Sequence, residues 1–593
     1  MRIKYTLLLC LTTFFLFAQN DEFLTHYEKS AFKETSRYDE TIAFCKQLDK
    51  ASELVHYTTF GKSLQGRDLP LIIVDKDGMQ QAREVQQTEK AIVLIQAGIH
   101  AGEINGKDAG MMLIRDIVIH KKHSELLNKV TIVFIPILNV DGHENFSSYG
   151  RINQNGPKEM GFRTNAINLN LNRDYLKADA LETQAWHKLF LEWLPDFFID
   201  IHSTDGADYQ YVLTYGMEIY GNMSEKLTNW QTDVFIKYVE KKMEKANYPI
   251  FPYVAFRNWH DPRSGLKSYP GNPMLSQAYS AIQNRPGLLI ESHMLKDYKT
   301  RVSSTYEMLV HSLTILNKEY YHLQNLIDES ERFVSSESFR AKKYTLTYKA
   351  SSDSSMVKFR GVEYETTTSD LTGGNWFKYS TKPATFEIPF FDKHVPEKQV
   401  FLPEAYIIPP EWTEVISRLK NHGIETYTIA EAVSLRVNSY HFANPAWRSN
   451  SFEGRQILEK FDLSEVENER EYPQGSVIVG LNQPTAKVIA CILEPEAIGS
   501  FAYWGFFNSI FEQKEYGESY VMEKIARNML ESDPELKAEF EEKLKNDPDF
   551  ANNQWTMLNW FYSKTPYWDS RINSYPVGRI MIKSELNKIR YAD

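Results

Sequence analysis

Residues 91–103 read AIVLIQAGIHAGE, and this stretch decides the fold class of the chain. Its first seven letters form an apolar run with the length and composition of a buried parallel strand. From about Gly106 the apolar residues recur at helical spacing, so the stretch predicts a strand, a turn and a helix. His100 and Glu103 lie in the turn, where an imidazole nitrogen and a carboxylate oxygen can each approach one cation to about 2 Å. A lone His-x-x-Glu is common in chains of this size, so further ligands have to support it.

The bulk composition is that of a folded chain with a large core. The chain has 593 residues, of which 42% are hydrophobic and 24% charged, and its formal net charge is -11. This length predicts two to four domains. An acidic chain without a basic cluster argues against binding to nucleic acid and against attachment to anionic lipids.

The N-terminus, MRIKYTLLLCLTTFFLFAQ, is typical of a secretory signal peptide. Arg2 and Lys4 precede an apolar stretch over residues 6–17 that is too short to cross a bilayer comfortably. We expect cleavage after Ala18, which removes residues 1–18, and no second stretch of membrane length follows. The mature protein is therefore expected to be exported, to the periplasm or outside the cell, without a membrane span.

Residues 19–330 alternate strand-like and helical patterns. The strand-like runs lie at 69–74, 91–97, 130–138, 197–201 and 287–291. This alternation predicts an α/β domain with a mixed, mostly parallel sheet flanked by helices. A helical pattern over residues 302–326 ends the domain, and the polar stretch 328–343 is the predicted linker.

The remainder of the chain has a different character. Residues 344–440 are rich in Thr, Ser, Tyr and Phe with partial alternation, which predicts a β-rich α+β accessory region. Within it, a helix is expected from Glu411 to about Asn421, with Gly423 just past its end. Residues 441–593 are predicted to be mainly helical, and Ser532-Asp-Pro-Glu is a strong helix start.

Two further strand ends carry candidate catalytic side chains. His202 follows the apolar run FFIDI and supplies a plausible third ligand. With His100 and Glu103 it would leave a zinc ion one position for water, as hydrolytic zinc sites require. Glu291 ends another apolar run and can take a proton from such a water, then pass it to a leaving amine. A lone glutamate at a strand end is more often an ion-pair partner, so this role depends on the metal motif.

Asn172 and Arg173 are adjacent in the segment INLNLNRDY. A guanidinium beside an amide suits bidentate binding of a carboxylate or polarisation of a carbonyl. Taken alone, an Arg-Asp sequence is more often a surface pair. Tyr269 offers a phenol hydroxyl, as do many of the 34 tyrosines.

The order of these motifs resembles that of the zinc carboxypeptidases of the carboxypeptidase A type, over about residues 25–325. The motifs are Gly61-Lys-Ser-Leu-Gln-Gly-Arg67, His100-x-x-Glu103, Asn139-Val-Asp-Gly142, Asn172-Arg173, His202-Ser203 and Glu291. The resemblance is to secreted bacterial members, here with an extra C-terminal region. It implies a metallopeptidase that binds one zinc ion and hydrolyses the C-terminal peptide bond of peptides with a free C-terminus.

The resemblance also implies a role for each matched residue. The zinc ligands would be His100, Glu103 and His202, and the general base and acid would be Glu291. Asn172 and Arg173 would hold the terminal carboxylate of the substrate. Arg163 would polarise the scissile carbonyl and stabilise the oxyanion, with Arg151 as the alternative because the loop is irregular.

Three further positions follow from the same resemblance. Tyr269 would close over the substrate, with Tyr279 as the competing candidate. Ser276 would form the floor of the specificity pocket, and an uncharged floor disfavours strict selection of basic or acidic residues. Asn170 stands where the family usually has an Asp that bonds a zinc-ligand histidine, so a somewhat lower metal affinity is expected.

Two other functions stay open at this point. A related zinc amidase acting on acyl-amino acids or peptidoglycan peptides would need the same metal and base. A catalytically inactive module would instead bind peptides or glycans through an aromatic cluster, although such clusters more often pack in a core. The cluster consists of Trp555, Trp560, Phe561, Tyr562, Tyr567 and Trp568. The oligomeric state stays open as well.

Overall fold

The structure, a computed structural model, describes residues 22–253 and 255–592. The predicted signal peptide, residues 1–18, lies outside the described residues. The strands are β1 (Val55–Lys62), β2 (Asp68–Val74), β3 (Ala91–Ala97), β4 (Val130–Ile135), β5 (Phe197–Thr204), β6 (Leu213–Gly216), β7 (Ile250–Pro252), β8 (Ala255–Asn258), β9 (Asp261–Lys267), β10 (Gly287–His293), β11 (Lys343–Ala350), β12 (Ser355–Thr368), β13 (Asn375–Phe391), β14 (His394–Phe401), β15 (Ala405–Ile408), β16 (Tyr427–Thr428), β17 (Val433–Trp447), β18 (Leu458–Tyr472), β19 (Val477–Gly480) and β20 (Gly578–Ile580).

Most helices of the N-terminal part pack around one large sheet. Most helices of the C-terminal part lie in the last 110 or so residues of the chain. The α-helices are α1 (His26–Lys29), α2 (Tyr38–Ala51), α3 (Ala82–Gln86), α4 (Asn105–Val118), α5 (Val140–Glu144), α6 (Leu181–Trp193), α7 (Glu225–Trp230), α8 (Lys237–Lys245), α9 (Ser276–Ile282), α10 (Tyr298–Val334), α11 (Glu337–Arg340), α12 (Thr413–Asn421), α13 (Ala486–Leu493), α14 (Ser519–Ser532), α15 (Pro534–Asn546), α16 (Pro548–Ala551) and α17 (Gln554–Tyr562).

The central sheet has eight strands in the order β1-β2-β4-β3-β5-β10-β6-β7. Strands β4, β3, β5 and β10 run parallel to one another, whereas β2 and β6 pair antiparallel with β4 and β10. The residues of β3, β4 and β5 are all buried, because helices cover both faces of the sheet. The predicted mixed α/β fold is confirmed.

The stretch predicted to be a linker, residues 328–343, is mostly helical. Helix α10 continues to Val334, and α11 and β11 follow with only short gaps. Ser330 and Val334 are buried, and the buried Arg340 donates a hydrogen bond to Glu404 at 3.0 Å. Most polar side chains of this stretch lie on the exposed side of the helix. The prediction of a linker was therefore wrong, because the composition does not show that the other side is packed.

Three smaller sheets follow the first. Their strand orders are β11-β14, β12-β13-β9-β8 and β16-β19-β15-β20-β17-β18. The region from residue 441, predicted to be mainly helical, begins with the long β17–β18 hairpin and becomes helical only from Ala486. Strand β18 is largely exposed and rich in glutamate, so it has no apolar run by which a sequence pattern could identify it.

Local sequence signals were reliable in this region. Helix α12 ends before Gly423, whose φ is +70°, and Pro534 opens α15 behind the capping side chain of Asp533. The aromatic cluster forms a helical core, in which Phe561 and Tyr562 are buried with Met522 and Leu536. This packing accounts for most of the aromatic side chains without any ligand.

One hydrophobic core extends from the N-terminal part into the C-terminal part. It contains Tyr175 and Trp186 from the first and Tyr406 and Trp504 from the second. The Lys177 ammonium also lies 5.4 Å from the ring centroid of Trp504, within cation–π range. Among the described residues, no helix combines the length and apolar character needed to cross a membrane.

Replacing Trp504 with Ala should lower the free energy of unfolding by about 3–5 kcal/mol, because a fully buried indole at this shared core leaves a large cavity. Urea denaturation followed by circular dichroism measures the change. Trp259→Ala is the matched control, since that side chain is 63% exposed and its loss should change stability by only about 0.5 kcal/mol. Equal losses in the two variants would contradict the shared core.

Candidate active site

The candidate site lies where three neighbouring parallel strands end at the same edge of the central sheet. His100 follows β3 by three residues, and His202 and Glu291 each lie two residues before the C-terminal end of their strands, β5 and β10. In the parallel ladder Glu291 stands directly opposite His202. The carboxyl ends of parallel strands are where open α/β sheets bind their ligands.

Three side chains at this edge converge as a metal-binding group would. One ligand atom each from His100, Glu103 and His202 lie within 4.8 Å of one another, and all three residues are buried. The His100 Nδ1 and His202 Nδ1 atoms are 3.2 Å apart. Glu103 Oε1 lies 3.2 Å from the former and Glu103 Oε2 3.1 Å from the latter. Two imidazoles and a carboxylate form a donor set that suits zinc, so the residues fit the predicted ion.

The outer nitrogen of His202 is held by Asp200. Its Nε2 lies 2.7 Å from Asp200 Oδ2, and because a carboxylate only accepts, Nε2 carries a proton and Nδ1 is the nitrogen that faces the other candidate ligands and would bind a metal ion once deprotonated. Burial opposes a charged imidazole, but the Asp200 carboxylate outweighs it and raises the pKa of His202 well above its usual range. The sequence analysis did not give Asp200 a role, although Asp-x-His at the end of a strand was a visible signal.

The outer nitrogen of His100 is held by Asn170. The Asn170 Oδ1 atom accepts a hydrogen bond from the Asn172 backbone N–H at 3.0 Å, which fixes the orientation of the amide. His100 Nε2 lies 3.0 Å from the same oxygen, so it donates and its Nδ1 is free. Burial lowers the pKa of His100 to about 4, which keeps this imidazole neutral. The two histidines are thus supported differently, one by a neutral amide and one by a carboxylate.

Both candidate oxyanion arginines reach Glu103. Arg151 and Arg163 approach Glu103 Oε1 to 2.9 and 3.3 Å, while Oε2 accepts a hydrogen bond from the Ser203 backbone N–H at 3.0 Å. The Arg151 side chain is 11% exposed and that of Arg163 is 40% exposed. Both therefore stand beside the site, and Arg163 is the more accessible from solution.

A cavity of about 520 Å³ opens above this group. Among its lining residues are His100, Glu103, Arg151, Arg163, Asn172, Arg173, His202, Glu218, Tyr253, Tyr269, Gln277 and Glu291. Tyr269 is half exposed at this cavity. Tyr279 is instead buried and hydrogen bonded to His422 Nδ1 at 2.8 Å, so it cannot serve as a mobile tyrosine.

Ser276 is not one of the lining residues. It is fully buried at the start of α9, where its backbone N–H donates to Asn172 Oδ1 at 3.0 Å. Its neighbour Gln277 lines the cavity instead. Successive side chains on a helix differ in direction by about 100°, so an error of one position in the resemblance replaces a residue that faces the cavity with one that faces the core.

Glu291 is in a different electrostatic state from Glu103. Burial raises the pKa of Glu291 to about 8, and the nearby Glu103 and Asp200 carboxylates add to this, while His202 and Arg163 oppose it. For Glu103, burial is outweighed by His100 and Arg151, which hold its pKa well below the usual range. Opposite shifts in neighbouring carboxyl groups indicate different roles for them.

A further acid lines the cavity, Glu218, which is buried and which the sequence motifs did not single out. Its carboxylate accepts hydrogen bonds from the Gly271 backbone N–H at 2.9 Å and from Asn222 Nδ2 at 3.0 Å. Burial raises its pKa to about 7. A Cβ at position 271 would overlap the Glu218 oxygen, so the close approach requires glycine there. Nothing in the local pattern TYGMEIYG separates Glu218 from a surface glutamate.

The chain is similar to known carboxypeptidases in sequence. Residues 41–248 match the family model described as zinc carboxypeptidase. Over 487 residues the chain is 23% identical to Carboxypeptidase 2 of Trichophyton rubrum, a match covering 79% of this chain and 83% of that protein. A metallo-carboxypeptidase structure from Burkholderia cenocepacia is 18% identical with a TM-score of 0.36, covering 47% of this chain and 69% of that one. The region matched by the family model contains His100, Glu103 and His202, whereas Glu291 lies beyond it.

Replacing Asp200 with Asn should weaken zinc binding by about 10- to 100-fold, because the carboxylate that orients His202 is lost. Competition with a chromogenic zinc chelator measures the affinity directly. Asp205→Asn, three residues beyond His202 and exposed, is the matched control and should bind zinc as the unaltered protein does. Equal affinities in both variants would show that Asp200 does not support a metal ligand.

Proposed function

Residues 41–248 match the zinc carboxypeptidase family model, and on that premise we propose that this protein binds one zinc ion and removes the C-terminal residue from peptides. One observation carries the proposal. The His100–Glu103–His202 group, the Glu291 carboxylate and the Arg173 guanidinium all line a single cavity. When bound, zinc supplies Lewis-acid polarisation of the scissile carbonyl and makes water more acidic.

Glu291 is proposed as the group that moves the proton. A water molecule attacks the carbonyl carbon, Glu291 accepts its proton, and the C–N bond breaks as that proton passes to the leaving nitrogen. The pKa of Glu291 is raised to about 8, so its carboxylate has a high affinity for a proton near neutral pH, as a general base requires. A cation held by His100, Glu103 and His202 would lower this pKa and so favour the ionised carboxylate that accepts the proton.

Asn172 and Arg173 are proposed to restrict cleavage to a free C-terminus. The Arg173 NH1 group donates to the Asn172 backbone carbonyl at 2.6 Å, which leaves the rest of the guanidinium available to a ligand. Burial together with the nearby Arg163 lowers the pKa of Arg173, so an incoming carboxylate relieves a local excess of positive charge. A guanidinium pairs with a carboxylate through two parallel hydrogen bonds.

Arg163 and Tyr269 complete the proposed site. Arg163 stands beside Glu103 with an accessible guanidinium, which suits it to the developing oxyanion. Tyr269, half exposed at the cavity, is free to move onto the substrate. The leader-like residues 1–18 support the further proposal that this chemistry takes place outside the cytoplasm.

Incubation with a mixed peptide library, read by mass spectrometry, should show loss of single C-terminal residues that a zinc chelator abolishes. Peptides with an amidated C-terminus should remain intact, because Arg173 then has no carboxylate to bind. Glu291→Gln should lower kcat by about 10²- to 10⁴-fold while zinc content stays unchanged. The exposed Glu225→Gln substitution serves as the matched control.

Two results would contradict this function. Hydrolysis of amidated substrates at the same rate as substrates with a free carboxylate would favour the amidase. Substantial residual turnover in Glu291→Gln would remove Glu291 as the base.

We further propose that the cavity prefers basic C-terminal residues. Glu218 is the acid buried in its wall, and Gln277 beside it adds an amide acceptor. This differs from the uncharged floor that the sequence predicted through Ser276. A buried carboxylate without a cationic partner is costly, and a lysine or arginine side chain of the substrate would supply one.

Glu218→Gln should reduce the kcat/KM ratio of Lys- or Arg-ended over Leu-ended peptides at least about 10-fold, because a charge-assisted contact of ~1.5–3 kcal/mol is lost. In the unaltered protein the ratio should rise as pH increases through about 7, since Glu218 becomes charged over that range. Competitive peptide digestion at pH 6 and pH 8 measures both effects. A ratio that neither the substitution nor pH alters would contradict this specificity.

A further inference from the structure

The turn between β17 and β18 reaches the candidate active site from the C-terminal region. Glu453 Oε2 accepts a hydrogen bond from the Asn170 backbone N–H at 2.8 Å. Two residues later, the Arg455 guanidinium donates two hydrogen bonds to the Asp179 carboxylate, of 2.7 and 2.8 Å. A segment more than 270 residues away in sequence therefore holds both ends of the loop that follows Leu169.

The backbone at this turn shows that Glu453 is an unusual choice there. The Phe452 N–H donates to the Arg455 carbonyl at 2.9 Å, and the reverse bond is 3.1 Å, so residues 453 and 454 are the two central residues of a tight turn. Glu453 has φ +49° and Gly454 has φ +77°. Turns with two such residues favour Gly, Asn or Asp, and a glutamate pays a steric penalty in this left-handed region. A strained residue of this kind persists only where the surrounding contacts hold it.

The contact made by Glu453 is one step away from a candidate metal ligand. The backbone N–H of Asn170 donates to the Glu453 carboxylate, and the side-chain oxygen of Asn170 lies 3.0 Å from His100 Nε2. The same oxygen holds the Asn172 N–H, which places Asn172 and Arg173 at the cavity. The position of residues 170–173 is thus determined from both sides, by His100 within the site and by Glu453 outside it.

Charge adds a second effect. Burial and Arg163 lower the pKa of Arg173, whereas the negative charge of Glu453 raises it. Glu453 is only partly buried, and among the described residues it forms no ion pair within 4.0 Å.

We propose that Glu453 is a positioning residue, supplied by the C-terminal region, that holds residues 170–173 so that Asn170 orients His100 and Arg173 faces the substrate. This inference rests on the proposed function of the site and assigns a role to part of residues 344–593. Glu453 itself touches neither substrate nor metal in this account.

Glu453→Gly is the decisive variant, tested in the full-length protein loaded with zinc. Glycine accepts the left-handed conformation without a steric penalty, so the thermal midpoint should stay the same or rise. Zinc release to a chromogenic chelator should nevertheless become about 10-fold faster, as is typical when an outer contact to a ligand is lost. The KM for peptides with a free C-terminus should rise more than kcat falls.

Glu453→Gln keeps an oxygen that can accept from Asn170, so zinc release should return to within about 2-fold of the unaltered protein. Glu459→Ala, an exposed glutamate of β18 paired with Arg448 at 3.3 Å, is the matched control and should behave as the unaltered protein does. Parallel losses of thermal midpoint and zinc retention in Glu453→Gly would indicate a merely structural contact and overturn the proposal.

Unchanged zinc release and unchanged KM in Glu453→Gly would also overturn it. If the unaltered protein trims no peptide at all, the proposed function fails, whereas the zinc-release comparison still decides the role of Glu453.

Discussion

The hydrogen-bonded register of three parallel strands, β3, β5 and β10, is the constraint on which the site depends. Because Ala97 pairs with Ile201, and Glu291 stands opposite His202, residues separated by up to 191 positions meet at one sheet edge. The buried apolar faces of these strands specify the register, since a slip of one residue would exchange the side chains that pack on the two covered faces of the sheet. The metal-binding group and the proton-transferring carboxylate are thus consequences of strand pairing.

Burial then gives chemically similar groups different states. His100 lies against a neutral amide and its pKa falls, whereas His202 lies against Asp200 and its pKa rises. His100 and Arg151 outweigh burial and lower the pKa of Glu103, whereas burial and the neighbouring Glu103 and Asp200 carboxylates raise the pKa of Glu291. A low local dielectric makes each of these differences larger than it would be in water.

The C-terminal region packs directly against the N-terminal part, and a helical segment connects the two. Trp504 and Tyr406 share a core with Trp186, and the buried helix α13 contributes eight consecutive buried residues next to it. The β17–β18 turn extends this packing to the loop that carries Asn172 and Arg173. Stability and site geometry are therefore coupled through the same contacts, because close-packed interiors transmit displacement with little loss.

The sequence by itself determined the features that depend on local pattern. These are the strand–turn–helix around His100, the parallel strands, the helix ends at Gly423 and Pro534, and the histidines and carboxylates at strand ends. It misread residues 328–343 as a linker, because a one-dimensional composition does not show which face of a helix is buried. Only the tertiary structure decided that Tyr269 and Gln277 line the cavity, that Glu218 lies in its wall, and that Glu453 holds Asn170. Each of these depends on contacts between segments far apart in the chain, and their energies come from burial and distance in three dimensions, which no local spacing encodes.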